Sequence, residues 1–256
     1  MRYLPGMFEI SEQADLPILR LAYRAGHLTM RQMYRSLHPY ELTKNTWNSF
    51  GWRVRRLAQH KFLDSVKVDG LGVVLSLGRD GELFLQGKEP TIVERASRTG
   101  WTNRRDQIWH DIDLFEMQMA LRSAGVVRLW QFETEVRADN DFTSFGYRKD
   151  YDAIVTFGVN GSSAQVALEY ERTGKSTDEY ERICAELNLE TRVSVFLYLA
   201  RSLQLQSFLL HGFRRTTRRL YGGIFQEFCG DPRQARLIDV RLGVTRRLDD
   251  CLKSAG

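Results

Sequence analysis

Apolar residues at Leu16, Ile18, Leu19, Leu21 and Ala22 recur densely enough to predict a helix buried on a broad face. A second helix is expected in TMRQMYRSLHP, starting from Thr29 as N-cap and ending before Pro39. A third follows in LTKNTWNSFGWRVRRLAQHKFL, where Trp47, Phe50, Val54, Leu57 and Ala58 fall on one side of a helical wheel and define its core face. Two short β-prone runs with Asp-Gly turns and a short amphipathic element complete the first 88 residues. The stretch QGKEPTIVERASRTGWTNRR, residues 86–105, has no sustained period and contains Pro90, so residues 89–105 are expected to be a linker. Beyond it the pattern predicts a helix over 107–124, strands over 127–137, 150–158 and 164–171, and a helix over 177–190. A strand over 193–199, a helix over 201–212 and strands over 219–228 and 235–243 follow. Residues 106–256 therefore read as a second domain, an α/β (α+β) layer around a mixed sheet.

Charge changes this picture in one place. The 256-residue chain carries a net charge of +5, and residues 1–90 hold 13 Lys+Arg against 9 Asp+Glu while the remainder holds 24 against 23. Four of the five excess positive charges thus lie in the first domain, a bias that favours a polyanionic partner there. No apolar run approaches the ~20 residues that span a bilayer, and acids stand where a signal peptide would be apolar, so no membrane association and a cytoplasmic location are expected. Cys184, Cys229 and Cys251 are odd in number and far apart, which suggests neither a disulfide framework nor a zinc site.

Three helices followed by a hairpin resemble a winged helix-turn-helix domain, here over residues 1–88. The side of the third helix away from the core carries Asn45, Asn48, Trp52, Arg55, Arg56 and Gln59. Arg can fork to guanine or pair with phosphate, and Asn and Gln can bond adenine edges, so these six are the candidate contacts to double-stranded DNA. A solvated helix face would look similar.

The second domain contains an acidic constellation. In AQVALEYER, strand alternation puts Glu169 and Glu171 on one face with Gln165 and Ala167, and Val166, Leu168 and Tyr170 on the other. Asp152 starts the preceding strand, and pairing through the Gly158–Gly161 turn would bring it beside the two glutamates. Three close acids repel one another unless a cation intervenes, and Mg²⁺ or Mn²⁺ bound by Asp152, Glu169 and Glu171 is the expected remedy. Glu116 is a candidate fourth acid, because Ile112, Met119 and Ala120 place it toward the apolar side of its helix. Its partner could be that metal, Arg148 or Lys149, or His110. Lys175, four residues after Glu171, could bring a further cation, and Ser176 with Glu179 forms a capping box that fixes the next helix start.

An Asp, a hairpin and Glu-x-Glu followed by a helix are similar to the PD-(D/E)xK nuclease fold, with Tyr151 at the motif's Pro position and Glu171 where Lys is usual. The whole order, from the winged helix through HDIDLFEMQMAL, KDYDAIVTF and VALEYERTGKS, resembles the replication-relaxation family and the related MOBC-class plasmid relaxases over roughly residues 10–200. His110 and Glu116 match that family's helix motif, Asp152 its Asp-Ala position, and Glu169 with Glu171 its acidic strand. The resemblance implies a restriction-endonuclease-like second domain and DNA processing in plasmid mobilisation or replication. It also implies nicking at a transfer origin and partners in a relaxosome or a coupling ATPase. A non-catalytic DNA-binding regulator with the same fold is the alternative, motivated by Glu171 in place of Lys.

Overall fold

A computed structural model describes residues 9–38, 44–89, 101–159 and 162–253 of the chain. It is a mixed α/β protein that divides into two units, Met1–Ile112 and Asp113–Gly256.

In the first unit the dense apolar run folds as α1 (Leu16–Ala25), with Ile18, Leu19 and Ala22 buried. A two-residue strand, β1 (Leu28–Thr29), leads into α2 (Met30–Leu37). Thr29 is the N-cap, as its position predicts: its hydroxyl accepts from the Gln32 backbone N–H at 3.1 Å, and the Gln32 side chain returns to the Thr29 N–H. Then come α3 (Lys44–Gln59), β2 (Leu63–Val68), β3 (Gly72–Leu77) and the short helix α4 (Arg79–Gln86). The three strands form an antiparallel sheet in the order β1-β3-β2. Gly70 and Gly72, at φ of 83° and 78°, supply the left-handed backbone that reverses the chain between β2 and β3. Phe50, Val54 and Leu57 of α3 are buried as expected, whereas Trp47 is 37% exposed and packs edge-on against Tyr34 at the rim.

The expected linker is shorter than the sequence suggests. Helix α5 (Trp101–Ser123) begins inside it, and the division between the units falls within α5. Pro90 and the rest of 90–100 lie outside the described residues.

The second unit holds a seven-stranded sheet in the order β10-β9-β8-β7-β6-β5-β4. Its strands are β4 (Val127–Phe132), β5 (Ala153–Val159), β6 (Ser162–Glu171), β7 (Val195–Ala200), β8 (Arg219–Ile224), β9 (Leu237–Asp239) and β10 (Thr245–Arg246). β4, β5 and β6 pair antiparallel, whereas β6, β7 and β8 run parallel. The parallel pairs require crossovers, supplied by α7 (Thr177–Leu189) and α8 (Leu203–Gly212). Every residue of β7 is buried, as expected of a central strand covered on both faces. On one face, Ile154, Ala167, Phe196 and Tyr198 pack with Tyr180, Ile183, Cys184 and Leu187 of α7 and with Leu209 of α8. The predicted stripe of α7 is thus its buried face, and Ser176 caps it by accepting from the Glu179 N–H at 3.2 Å.

Three expected strands end early. Residues 133–142 form α6 (Glu133–Phe142), started by Glu133 and Glu135 in its first turn, which favour a helix N-terminus, and supported by a Glu133–Arg137 pair at 3.1 Å. Residues 225–230 form α9 (Phe225–Gly230), and the last predicted strand shortens to Leu237–Asp239. The chain then closes with α10 (Leu248–Lys253). Among the described residues, no helix is long and apolar enough to cross a membrane.

Candidate functional site

The acids meet because the β5–β6 register leaves them little choice. Ala153 stands opposite Leu168 and Ile154 opposite Ala167, so the next position outward sets Asp152 against Glu169. Asp152 lies one residue before β5, and its Oδ2 accepts from the Tyr170 backbone N–H at 2.7 Å, extending the ladder by a side chain. Glu169 and Glu171 alternate with Ala167 and so share the face covered by α7 and α8. Both are buried, each 5% exposed, at the carboxyl end of β6 where the parallel strands terminate. Binding groups in α/β sheets commonly gather at such strand ends.

Two lysines complete the cluster. Lys149 Nζ stands 2.8 Å from Glu169 Oε1 and lies over the Tyr151 ring at 5.4 Å. Lys175, from the turn before α7, reaches back to pair with Glu171 Oε1. Tyr198, opposite Glu169 on β7, is fully buried, and its hydroxyl has no hydrogen-bonding partner among the described residues.

Burial dominates the electrostatics. It pushes Glu169 up to about 7, with Asp152 and Glu171 adding repulsion and Lys149 acting in the opposite sense. Burial likewise raises Glu171, against the pull of Lys175. For Lys149 burial favours the neutral form, but Glu169, Asp152 and Glu171 together more than offset it and raise its pKa. Burial and the neighbouring acids raise the Tyr198 hydroxyl well above its ordinary value, which keeps it neutral. The cluster holds three carboxylates and two ammonium groups, and one carboxyl exchanges its proton near neutrality.

Glu116 is half-buried on α5. Asp113, three residues before it on α5, accepts from the Tyr170 hydroxyl at 2.8 Å and pairs with Arg172. Tyr170 points to the opposite side of the sheet from Glu169 and Glu171. Glu116 acts on Cys229, whose thiol is pushed up to about 12 by burial first and then by Glu116 and Asp113. Apolar neighbours along α5 correctly indicated partial burial, but they carried no information about which sheet face the helix covers. His110 has its Nδ1 3.6 Å from Asp111 Oδ1, in the first unit. His27 Nδ1 also approaches Asp111, at 2.7 Å, and these two histidines, by hydrogen bond and charge, hold the Asp111 carboxyl down at about 2 although burial, the largest influence, opposes them.

No three His, Cys, Asp or Glu side chains among the described residues are placed to hold a metal ion together. The expected ligand set of Asp152, Glu169 and Glu171 is not such a group. Glu169 is paired with Lys149 and Glu171 with Lys175.

In the first unit, Asn48, Trp52, Arg55 and Gln59 are exposed along one stripe of α3. Arg56, expected on that face, is turned away. It pairs with Asp15, a fully buried carboxylate that Arg53 also reaches at 2.9 Å and to which the Ser11 N–H donates. A buried charge needs such partners, and this requirement takes Arg56 out of the exposed set. The Asn45 side chain lies outside the described residues. Of the RRTTRR stretch, Arg218 donates to the carbonyls of Leu187 and Glu190 at the end of α7, a structural use.

No protein-family model matches the chain, and no solved structure matches it. Among curated proteins it is similar to a thiamine-phosphate synthase of Lysinibacillus sphaericus (strain C3-41), at 26% identity over 212 residues, covering 78% of this chain and 94% of that protein. An identity that low does not assign a family.

Proposed function

We propose that this chain is a DNA-binding protein of plasmid or mobile-element mobilisation or replication, whose second unit nicks DNA at an origin in a metal-dependent reaction. The observation that carries this reading is the convergence of Asp152, Glu169 and Glu171 at adjoining strand ends, with Lys175 returned to Glu171. The order strand, hairpin, acidic strand and crossover helix supports a restriction-endonuclease-like domain. The element order of the first unit and its β1-β3-β2 sheet support a winged helix with α3 as the DNA-reading helix.

Asp152 and Glu169 would hold Mg²⁺ or Mn²⁺ as a pair of carboxylates, the ion taking the place of Lys149 at Glu169. When bound, the ion would lower the pKa of water and neutralise charge on the scissile phosphate. Glu169 exchanges a proton near neutral pH and so can present an ionised carboxylate at modest cost. Lys175 fixes the Glu171 carboxylate and brings positive charge to the strand end. Lys149 balances Glu169, and Tyr170 aligns Asp152 through its backbone N–H. Supercoiled plasmid carrying the native origin, incubated with the protein and Mg²⁺ or Mn²⁺, is expected to yield nicked circles. Asp152→Ala should abolish them, and nicking that persists unchanged in that variant contradicts the catalytic reading.

A second reading is a non-catalytic regulator or assembly factor, acting beside relaxosome or coupling proteins. It is favoured by the two lysines, which already answer Glu169 and Glu171 without a metal. Calorimetry separates the two: tight, salt-dependent DNA binding with no heat from Mn²⁺ supports the regulator.

A further inference from the structure

Trp52 stands out on the exposed stripe of α3. Its side chain is 52% exposed, in a helix that carries Lys44, Arg53, Arg55 and Arg56 and no acid. Asn48 and Arg55 flank it one turn away on either side, and Gln59 follows a turn beyond Arg55, all exposed. Isolated exposed aromatics are common, and exposure alone would carry nothing. The support beneath this ring is what distinguishes it.

The Arg56 guanidinium lies over one face of Trp52, 5.5 Å from the ring centroid. That guanidinium is itself fixed by the fully buried Asp15 carboxylate, which Arg53 and the Ser11 N–H also engage. The chain of contacts from Asp15 through Arg56 to Trp52 holds a flat aromatic surface with a cation over one face and about half of the residue exposed. An indole offers one hydrogen-bond donor and no acceptor, which makes it a poor reader of base edges in an intact groove. A pre-oriented aromatic face beside Arg, Asn and Gln suits a nucleobase that has left its stack, because every base has a π-face to lay on it.

We propose that Trp52 is a stacking platform for an unpaired base, so that the first unit prefers DNA with a locally opened strand over fully paired duplex. Arg55, exposed on the same stripe of α3, matches the charge of the strand that would carry the base. This proposal rests on the DNA-binding reading of that unit.

Fluorescence anisotropy of the full chain in EDTA, with a labelled duplex and the same duplex bearing a short central mismatch bubble, tests it. The bubble is expected to bind about tenfold more tightly. Trp52→Ala should remove that preference, Trp52→Tyr should keep most of it, and Arg55→Ala should weaken both DNAs by a similar factor. Equal affinity of the wild type for the two DNAs, or an equal loss for both in Trp52→Ala, overturns the platform and leaves DNA binding intact. Binding to neither DNA overturns the reading on which the platform rests.

Discussion

Glu169 is the residue whose surroundings make the sharpest demand. Its carboxyl, pushed up to about 7 from 4.5, binds a proton in the folded protein over a range where the unfolded chain has released it. The stability linked to this group is therefore fully present below about 4.5 and is lost as pH rises through about 7. Urea unfolding of the wild type and Glu169→Gln across pH 5–8 should show the variant gaining on the wild type as pH rises, by on the order of 2–3 kcal/mol at the top. A pH-independent difference would show that the group does not titrate in that window. Tyr198 makes a simpler demand: its hydroxyl is buried without a hydrogen bond, so Tyr198→Phe should hold or raise stability by up to about 1 kcal/mol. Asp152, Glu169 and Glu171 were legible in the sequence because a period of two fixes side and register together. Lys149 was not, since it precedes the strand in a segment with no period, and its contact depends on how that segment crosses β6. Arg56 was misplaced for a related reason. A helical wheel shows the outward direction but not the buried Asp15 that draws a long side chain back.

At the scale of elements, local chemistry was readable wherever it closes on itself. The Thr29–Gln32 and Ser176–Glu179 boxes lie within one turn and need no tertiary context. Ser176→Ala should cost roughly 1 kcal/mol in urea unfolding, and it should also loosen Lys175 from Glu171 because the box fixes the turn that carries the lysine. Residues 133–137 and 225–228 were misread as strand because each continues directly from a genuine strand. Acids in the first turn, Glu133 and Glu135 in α6 and Glu227 in α9, were the helix signal. In β8, a Cβ on Gly223 would come within 2.8 Å of the Leu199 and Leu237 side chains. Gly223→Val should therefore lower the unfolding midpoint, by roughly 1–3 kcal/mol in stability, through overpacking between β7 and β9.

For the whole molecule, the mixed sheet that the sequence indicated is present, and the chain divides into two compact units. The position of the division was not legible, because the charged and irregular stretch that resembles a linker runs into a long helix, α5, whose apolar residues serve the first unit through Ile108 and Ile112. The same helix carries Asp113 and Glu116, both of which add to the rise of the Cys229 thiol pKa. The central claim is that Asp152 and Lys175, and not Glu116, belong to a DNA-cutting site. Its most direct test is the single-turnover nicking rate on origin DNA for the wild type, Asp152→Asn, Lys175→Met and Glu116→Gln at saturating Mn²⁺. Losses of roughly 100-fold or more are expected for the first two variants and a change within about twofold for Glu116→Gln. A wild-type rate in Asp152→Asn would contradict it.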